Sequence, residues 1–368
     1  MEFSAVLDAE WDAVVATSDD GWIFAHSWWQ RLTTGIPEWG FLDCSFALRE
    51  NGHFLAVVPL QRRPDGVLAS IAFGESGPVV NHGVQGEHRK RILKQVFEHV
   101  DNLAQRHQAR AIEMLVPALS RGSLASVRGV NSLIEYGFQD TSTHVRIADL
   151  GQTETELFAA LNYDARRSIR AAEKSGYTVG TCEWKDAIDD YYRVHTETYC
   201  RTGMKPHPLA YFEGIAKDVA SRGHSVLWVG RDPDGAAVAF HNCARYRDTA
   251  TYWTGCCASN HLASGINYLL FWSSIKGAKT DGIRWYNLGQ VFPNATDEKL
   301  RGLTVFKSKF GGELRRSFSG LKPVALVPAP GAEPSLRQVG RQWLWLTREF
   351  GRRCLAALFR SKRGEECR

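Results

Sequence analysis

The chain has 368 residues, of which 44% are hydrophobic, 23% charged and 11% aromatic, and its formal net charge is +5. This composition is typical of a globular protein with room for two domains. No apolar run reaches the roughly 18 residues that a membrane helix requires. The acidic start, residues 1–8, lacks the basic and apolar regions of a signal peptide.

The positive charge is concentrated at the C-terminus. Residues 335–368 contain nine Arg or Lys and three Glu, so the rest of the chain is close to neutral. The body therefore does not resemble a general nucleic-acid binder, and no DNA partner is predicted. The eight Cys are scattered without a CxxC motif, which indicates neither a zinc site nor a disulfide framework. Reduced thiols predict a cytoplasmic location.

The first half of the chain predicts an antiparallel meander followed by a helix and a further strand. Its turns contain Asn51-Gly52 and Asp65-Gly66, which tolerate the positive φ angles of tight hairpins. Apolar residues at three- and four-residue spacing predict the helix. The predicted strands are 44–49, 54–61, 67–73 and 111–116, and the predicted helix is 87–108.

Residues 154–222 read as helical, with Gly176 ending one of the helices. An apolar face there comprises Leu157, Leu161, Ile169 and Ala172. A basic face comprises Arg166, Arg167, Arg170 and Lys174. Such a cluster is usually a solvated helix face. The alternative is that this basic face binds the phosphates of a nucleotide-bearing ligand.

The second half repeats the order of the first. Gly52 and Gly235, which occupy matching turns, lie 183 residues apart. We therefore predict two tandem copies of one α/β unit, each a mixed, mostly antiparallel sheet flanked by helices. The alternative is two unrelated α+β domains. The predicted strands are 225–230, 236–245, 249–256 and 284–288, and the predicted helix is 264–280.

Four segments follow from this organisation. We predict an N-terminal domain over 1–150 and a C-terminal domain over 151–322. A Pro-rich linker over 323–334 then leads to a basic amphipathic tail over 335–368.

The most informative stretch is 302–312, where Lys307 lies between Phe306 and Phe310 just before Gly311-Gly312. It places a cation beside flat apolar faces in a chain that can bend immediately afterwards. Such a lysine could stabilise negative charge that develops on an acyl carbonyl. The alternative is an edge strand with one solvated lysine.

Two further groups could carry chemistry. His241 lies on the central strand of the second meander and could relay a proton from an amine, or it could be a hydrogen-bonded core residue. Cys243, Cys256 and Cys257 lie on adjacent strands. They could act as a thiol acyl carrier, although buried inert cysteines are the favoured interpretation.

Four segments in order give the chain a family resemblance over about 155–320. They are Arg166-Arg-Ser-Ile-Arg170-Ala-Ala-Glu-Lys174-Ser-Gly176, Tyr252-Trp-Thr-Gly255, Trp285-Tyr-Asn287-Leu-Gly289 and Leu303-Thr-Val-Phe306-Lys307-Ser-Lys-Phe310-Gly-Gly312. With the tandem layout, they resemble the Fem-type (FemAB) peptidyltransferases and the BioF2-like acetyltransferase domains. Both have the GNAT acyltransferase fold.

The resemblance implies transfer of an acyl or aminoacyl group onto an amine. In Fem-type enzymes the donor is an aminoacyl-tRNA and the acceptor a peptidoglycan precursor. It implies that Phe306 and Lys307 contact the end of the donor, that Tyr252 lines the same cavity, and that Arg166 and Arg170 contact phosphates. No tightly bound cofactor is implied. Family members often have Asp where this chain has Asn287, so a required carboxylate at that position is in doubt.

Acyl-CoA is the rival donor, for an N-acetyltransferase that acts on a small amine or an amino sugar. GNAT domains bind pyrophosphate at a Gly-rich turn that opens a helix. The matching segment, 260–267, retains only Gly265. An aminoacyl-tRNA or another bulky donor is therefore favoured. The missing acid at Asn287 keeps open a non-catalytic binding protein built on the same scaffold.

The tail predicts a basic amphipathic helix, with apolar residues recurring every three or four positions and arginines on the other side. Residues 335–363 could lie on the anionic inner leaflet and bring the protein to a membrane-proximal acceptor, such as an envelope precursor or a polysaccharide. Alternatively, the helix docks on the second domain. The predicted location is the cytoplasm, including the inner face of the membrane.

Overall fold

A computed structural model describes residues 2–5, 8–70, 75–125 and 129–325. Within these residues the chain divides into two compact units. The first comprises the chain up to Thr143 and the described residues from Arg316 onward, and the second comprises His144–Arg315. The predicted tail, residues 326–334 of the predicted linker, residues 71–73 of the predicted third strand, Cys354 and Cys367 lie outside the described residues.

The described residues of the first unit form two sheets. A four-stranded sheet has the order β1-β3-β4-β7, and a six-stranded sheet has the order β2-β5-β6-β8-β17-β9. The β3–β4 hairpin turns at Asn51 and Gly52, whose φ angles of 52° and 84° are those of a type I′ turn. The strands are β1 Glu2–Ser4, β2 Leu42–Asp43, β3 Phe46–Glu50, β4 His53–Val58, β5 Gln61–Arg62, β6 Val67–Ala69, β7 Val79–Val80, β8 Ala111–Leu115, β9 Gln139–Asp140 and β17 Ser319–Pro323.

In the described residues, four α-helices belong to the first unit. Strands β6 and β8 are parallel, and the long helix between them buries Ile92, Val96 and Val100 at the predicted spacing. Strand β17 pairs antiparallel with β8, so the chain returns to this unit near its described end. Pro323, where the linker was predicted to begin, is the last residue of β17 and lies opposite Ala111. The helices are α1 Ala9–Thr17, α2 Ser27–Thr34, α3 Gly86–Arg106 and α4 Arg121–Ala125.

The second unit is built on one seven-stranded sheet with the order β11-β12-β13-β14-β15-β10-β16. All the described ladders are antiparallel except β14–β15. The strands are β10 Thr143–Asp149, β11 Thr178–Cys182, β12 Ser225–Arg231, β13 Ala237–Tyr246, β14 Thr249–Cys257, β15 Trp285–Val291 and β16 Glu313–Ser317. The helices are α5 Glu154–Ala160, α6 Tyr163–Lys174, α7 Trp184–Arg201, α8 Leu209–Gly214, α9 Ile266–Thr280 and α10 Glu298–Ser308.

Both units contain the predicted succession of antiparallel strands, a helix and a further strand, and in both units that further strand pairs in parallel with a strand that precedes the helix. In the first unit these are β6, α3 and β8, and in the second β14, α9 and β15. The predicted fold class, two tandem α/β units with mixed, mostly antiparallel sheets, is confirmed. None of the helices in the described residues is long and apolar enough to cross a bilayer.

Two local predictions were wrong. Segment 154–222 is not helical throughout, because Thr178–Cys182 forms an edge strand that pairs with β12. The edge-strand alternative for the lysine stretch also fails, since Lys307 lies in the last turn of α10. The side chain of Asp297 caps this helix by accepting the Leu300 N–H.

Candidate active site

The candidate site lies where β14 and β15 separate. The two parallel strands pair from Thr249 opposite Trp285 to Thr251 opposite Asn287, and no pairing follows that point. Gly289 has a φ of 90°, and the register of β15 against β10 shifts beside it. Asn287 is buried, and its Oδ1 accepts the Gly289 N–H at 2.8 Å. Asn287 therefore stabilises the irregular backbone at the opening.

Lys307 reaches this opening from α10. The side chain is buried, with 5% exposed, and its Nζ donates to the Gln290 carbonyl at 3.0 Å. Nζ also lies 5.5 Å from the centroid of the Tyr252 ring. Among the described residues no carboxylate lies within ion-pair distance. Burial lowers the pKa of Lys307 from 10.5 to about 7, because the charged form loses its hydration.

Gly289 provides the space that Lys307 occupies. A Cβ added at Gly289 would lie 2.5 Å from the lysine Nζ, and the positive φ disfavours any other residue. A side chain at position 289 is therefore disfavoured twice, by the positive φ of the backbone and by the close approach of the Lys307 amine.

Tyr252 forms the aromatic wall beside the lysine. Its ring packs against His241 at 4.5 Å and Phe271 at 4.8 Å between centroids. Its hydroxyl has no hydrogen-bond partner among the described residues and lies over Gly255, where a Cβ would come within 2.6 Å of it. Burial raises the pKa of Tyr252, so the phenol stays protonated and can donate a hydrogen bond.

His241 sits behind this wall in a buried polar network. The Tyr286 hydroxyl lies 3.1 Å from His241 Nε2, 2.8 Å from Ser274 Oγ and 3.0 Å from Cys243 Sγ. Burial, and secondarily the charge of Lys307, lowers the pKa of His241 to about 3, so the ring is neutral at physiological pH. This environment favours the interpretation of His241 as a hydrogen-bonded core residue over that of a proton relay.

Phe306 belongs to an aromatic cluster on the other side of Lys307. It packs edge-on against Tyr268, Phe271 and Phe310, with centroid distances of 5.0, 5.4 and 5.3 Å. These rings shield the lysine from water and so contribute to its desolvation.

The two arginines proposed as phosphate contacts lie in different environments. Arg166 donates from Nη1 to the carbonyls of Ala159 and Leu161, both at 2.7 Å, and so stabilises the end of α5. Arg170 is exposed, with its guanidinium 5.4 Å from the Phe158 ring centroid. Arg170 is therefore available to a ligand, whereas Arg166 is held by the backbone.

Gly265 opens α9 as predicted, with a φ of 86°. A Cβ at this position would lie 2.5 Å from the Ser168 carbonyl oxygen of α6. Ser264 Oγ already accepts the Ile266 N–H at 3.2 Å. A bulky substitution at Gly265 would therefore disturb the packing of α9 on α6, so its effect would not report on phosphate binding alone.

The second unit thus brings together Lys307, Tyr252, Phe306, Asn287 and His241. The other predicted site residues lie elsewhere: Arg166 contacts the end of α5, Gly265 lies against α6, and Arg170 is exposed. No role was predicted for Gly289 and Tyr286, although both lie in a segment that carries the family resemblance. Phe271 and Tyr268 could not be predicted as neighbours of the site, because helix periodicity does not reveal which distant segment a buried aromatic contacts. Among the described residues no cluster of His, Cys, Asp or Glu could hold a metal ion.

Comparisons with known proteins support this assignment of the fold. A family model described as an acetyltransferase (GNAT) domain matches residues 160–300, a range that includes Tyr252 and ends before Lys307. No curated protein sequence matches the chain.

The solved structures that share the fold include the following three. The crystal structure of FemX is 16% identical, with a TM-score of 0.64 over 86% of this chain and 97% of FemX. The C-terminal domain (DUF2156) of a putative lysylphosphatidylglycerol synthetase from Agrobacterium fabrum is 17% identical, with a TM-score of 0.55 over 85% and 90%. A tandem GNAT protein from the clavulanic acid biosynthesis pathway is 12% identical, with a TM-score of 0.55 over 89% and 99%.

The chain therefore has the GNAT fold, which it shares with FemX, and its residues 160–300 match an acetyltransferase (GNAT) domain.

Proposed function

We propose that this protein transfers an aminoacyl group from an aminoacyl-tRNA to an amine of a cell-envelope precursor or polysaccharide. The observation that carries the proposal is Lys307, a buried amine without a carboxylate partner among the described residues, held beside Tyr252 at the opening between β14 and β15. A lysine paired with a carboxylate would only stabilise the fold. An unpaired one is available to a group that develops negative charge.

The proposed reaction is an acyl transfer through a tetrahedral intermediate. The acceptor nitrogen attacks the carbonyl carbon, and the carbonyl oxygen becomes an oxyanion that the Lys307 ammonium stabilises. The bond from carbon to the leaving oxygen then breaks, and the leaving alcohol takes up the proton that the amine gives up. Loss of one such donor costs about 3–4 kcal/mol, or on the order of 10² to 10³ in rate.

The environment of Gly265 supports a donor other than acyl-CoA. A pyrophosphate at the start of α9 would need free N–H groups. Here Ser264 Oγ accepts the Ile266 N–H, and the Ser168 carbonyl oxygen lies against the turn. An anion bound at this turn would lie close to the Ser168 carbonyl oxygen, and the negative partial charge of that oxygen would repel it.

Acyl-CoA remains the second candidate donor, because the family model that matches residues 160–300 is that of an acetyltransferase domain. In that version the acceptor is a small amine or an amino sugar. Tyr252 and Lys307 would then face a thioester, and thiolate is a better leaving group than alkoxide.

An acceptor near the membrane is supported by the name of one structural neighbour, a putative lysylphosphatidylglycerol synthetase. The basic, amphipathic sequence of 335–363 is consistent with the same location at the inner face of the cell membrane. We therefore include an amine of a cell-envelope precursor or polysaccharide in the proposal as the acceptor.

The test compares donors on the purified full chain. Transfer to an amine acceptor and binding by calorimetry are measured with aminoacyl-tRNA, acetyl-CoA and CoA, in the wild type, Lys307→Met and a control, Lys299→Met. Lys299 lies on the same helix and is exposed. We expect aminoacyl transfer to fall about 10² to 10³-fold in Lys307→Met and to persist in Lys299→Met.

Three other results of this experiment would change the proposal. Turnover of acetyl-CoA with micromolar CoA binding would replace the tRNA proposal by the acyl-CoA candidate. Normal transfer by Lys307→Met would remove this lysine from the mechanism. Absence of transfer with every donor in a broad panel would favour a binding protein on the same scaffold.

A further inference from the structure

A cavity of about 310 Å³ lies in the first unit, between strand β1, the start of β3 and the C-terminal end of α3. Strand β1 is at the edge of its sheet and pairs with β3, and its residues form one wall of the cavity. Helix α3 forms another wall, on which His99, Leu103 and Arg106 lie within about 60° of one another around the helix. No residue of the candidate active site lines this cavity, which is therefore a separate candidate for binding a small molecule.

Two groups of opposite charge line this cavity without an ion-pair partner. Asp43, at the end of β2, and Arg106, at the end of α3, are both exposed, and neither forms a salt bridge with another described residue. One carboxylate oxygen of Asp43 accepts the Ser45 N–H at 2.9 Å. Elsewhere in this unit a buried guanidinium does pair, as Arg63 does with Glu113 at 2.9 Å. The carboxylate and the guanidinium of the cavity are thus both available to a ligand.

His99 and Ser4 add polar atoms without partners to the same walls. The His99 ring stacks on Phe3 at 3.8 Å between centroids and packs edge-on against Phe46 at 4.6 Å. Its ring nitrogens have no hydrogen-bond partner among the described residues. Burial, and secondarily the nearby charge of Arg106, lowers the pKa of His99. Ser4 Oγ is buried and also lacks a partner in the described part of the chain. Buried polar atoms are normally hydrogen-bonded, so a ligand could satisfy these groups.

The cavity also has an apolar side. Phe3 is 38% exposed and lines the cavity together with Phe46 and Leu103. These three side chains can take an apolar group of a ligand out of water. The lining therefore combines a carboxylate, a guanidinium and an apolar surface in one small volume.

From this combination we infer that the cavity binds a free α-amino acid with an apolar side chain. Arg106 holds its carboxylate, since a guanidinium suits bidentate contact with a carboxylate, and Asp43 holds its ammonium group. The side chain of the amino acid packs against Phe3, and Ser4 and His99 offer further hydrogen bonds. A simple anion would be repelled by the Asp43 carboxylate and a simple amine by the Arg106 guanidinium, so a zwitterion fits the lining better than either. The inference goes beyond the proposed function and does not depend on it, because it uses no residue of the candidate active site.

Calorimetry on the full chain tests the inference with L-leucine and three related probes. N-acetyl-leucine lacks the ammonium group, leucinamide lacks the carboxylate, and inorganic phosphate is a simple anion. The test variants are Arg106→Gln and Asp43→Asn, each of which removes one charge from the cavity. The control variants are Arg91→Gln and Glu98→Gln, which remove the same charges from exposed positions of α3 outside the cavity. Lys307→Met controls for leucine that binds at the candidate active site.

We expect the wild type to bind leucine with millimolar affinity or better, and to bind the other three probes about tenfold or more weakly. Arg106→Gln and Asp43→Asn should each weaken leucine binding about tenfold or more, because each leaves one charge of the ligand unpaired. Arg106→Gln should no longer discriminate against leucinamide, and Asp43→Asn should no longer discriminate against N-acetyl-leucine. A further variant, Phe3→Ala, should reduce the preference for leucine over glycine. The control variants and Lys307→Met should bind leucine as the wild type does.

Absence of leucine binding by the wild type would overturn the inference, and so would equal affinities in the test and control variants. Phosphate or N-acetyl-leucine bound as tightly as leucine would identify a plain anion site, and leucinamide bound as tightly would identify an amine site; either result would also overturn it. Leucine binding that is lost in Lys307→Met and kept in both test variants would assign leucine to the candidate active site instead.

Two further comparisons keep these outcomes distinct. Asp43 and Arg106 are exposed, so both test variants should keep the urea midpoint of the wild type, and a loss of binding is then not a loss of the fold. Leucine binding in the cavity without aminoacyl transfer would uphold the inference and refute the proposed function. Aminoacyl transfer without leucine binding would do the reverse.

Discussion

Replacing Lys307 by Met should separate the stability of this protein from its activity. Methionine keeps the length of the side chain and its contacts with the surrounding aromatic rings, while it removes the charge that burial disfavours. It also removes the hydrogen bond from Nζ to the Gln290 carbonyl, which is worth about 1 kcal/mol.

The pH dependence follows from the lowered pKa. The pKa of Lys307 falls from 10.5 to about 7 on folding, so between these values the unfolded chain binds one more proton than the folded chain. The free energy of unfolding of the wild type therefore rises with pH across this window, by about 1.36 kcal/mol per pH unit from this group. Because the folded chain is half protonated at pH 7, the rise between pH 7 and pH 9 is about 2.3 kcal/mol. Lys307→Met lacks this contribution, so the variant should gain over the wild type as the pH falls from 9 to 7.

Urea unfolding of the full chain, followed by tryptophan fluorescence at pH 7 and pH 9, measures the difference between wild type and variant at each pH. Other titrating groups cancel in that difference. A second neutral variant, Lys307→Leu, should show the same change with pH and a different constant offset, because only its packing differs. A difference between wild type and variant that changes by less than about 0.5 kcal/mol between the two pH values would refute a buried, uncompensated Lys307.

Three further outcomes are expected. Gly289→Ala should lower transfer by more than about tenfold and destabilise the fold by about 1–3 kcal/mol, because its φ is 90° and its Cβ would meet Nζ of Lys307; activity equal to the wild type would contradict the close approach. Gly265→Ala should destabilise the protein more than Gly235→Ala by urea unfolding, since both have a φ of 86° but only Gly265 has a backbone atom where its Cβ would lie; equal losses would argue for backbone strain alone. In flotation with anionic liposomes, the full chain should float and a 1–330 truncation should not, and equal behaviour of the two would remove the membrane proposal.

Much of the fold could be predicted from local patterns. Asn51-Gly52 specifies its hairpin because both residues take up positive φ without large strain. Helix α6 could be recognised from its apolar spacing, because one face of a 3.6-residue repeat must be buried. The order of strands and helix, repeated in both halves, predicted two tandem units because each element depends mainly on neighbouring residues.

The environment of each candidate site residue was decided by tertiary contacts. The stretch around Lys307 is compatible with a strand or a helix in isolation, and Asp297 together with burial against β15 makes it a helix. The Lys307 amine is desolvated because aromatic rings pack around it in the folded unit. Tyr252 comes from a segment that is distant in sequence, and Phe306, although adjacent in sequence, belongs to an aromatic cluster that forms only on folding. Arg166 and Arg170 belong to the same basic motif, yet the carbonyls at the end of α5 hold only Arg166.

The sequence by itself thus determined which residues could carry charge, turn the chain or pack in a core, since these are properties of a residue and its near neighbours. Only the tertiary structure decided which of them meet. Burial, hydrogen-bond partners and pKa depend on atoms that the fold brings together from remote segments, as it brings the Gln290 carbonyl and the backbone of Gly289 to the amine of Lys307.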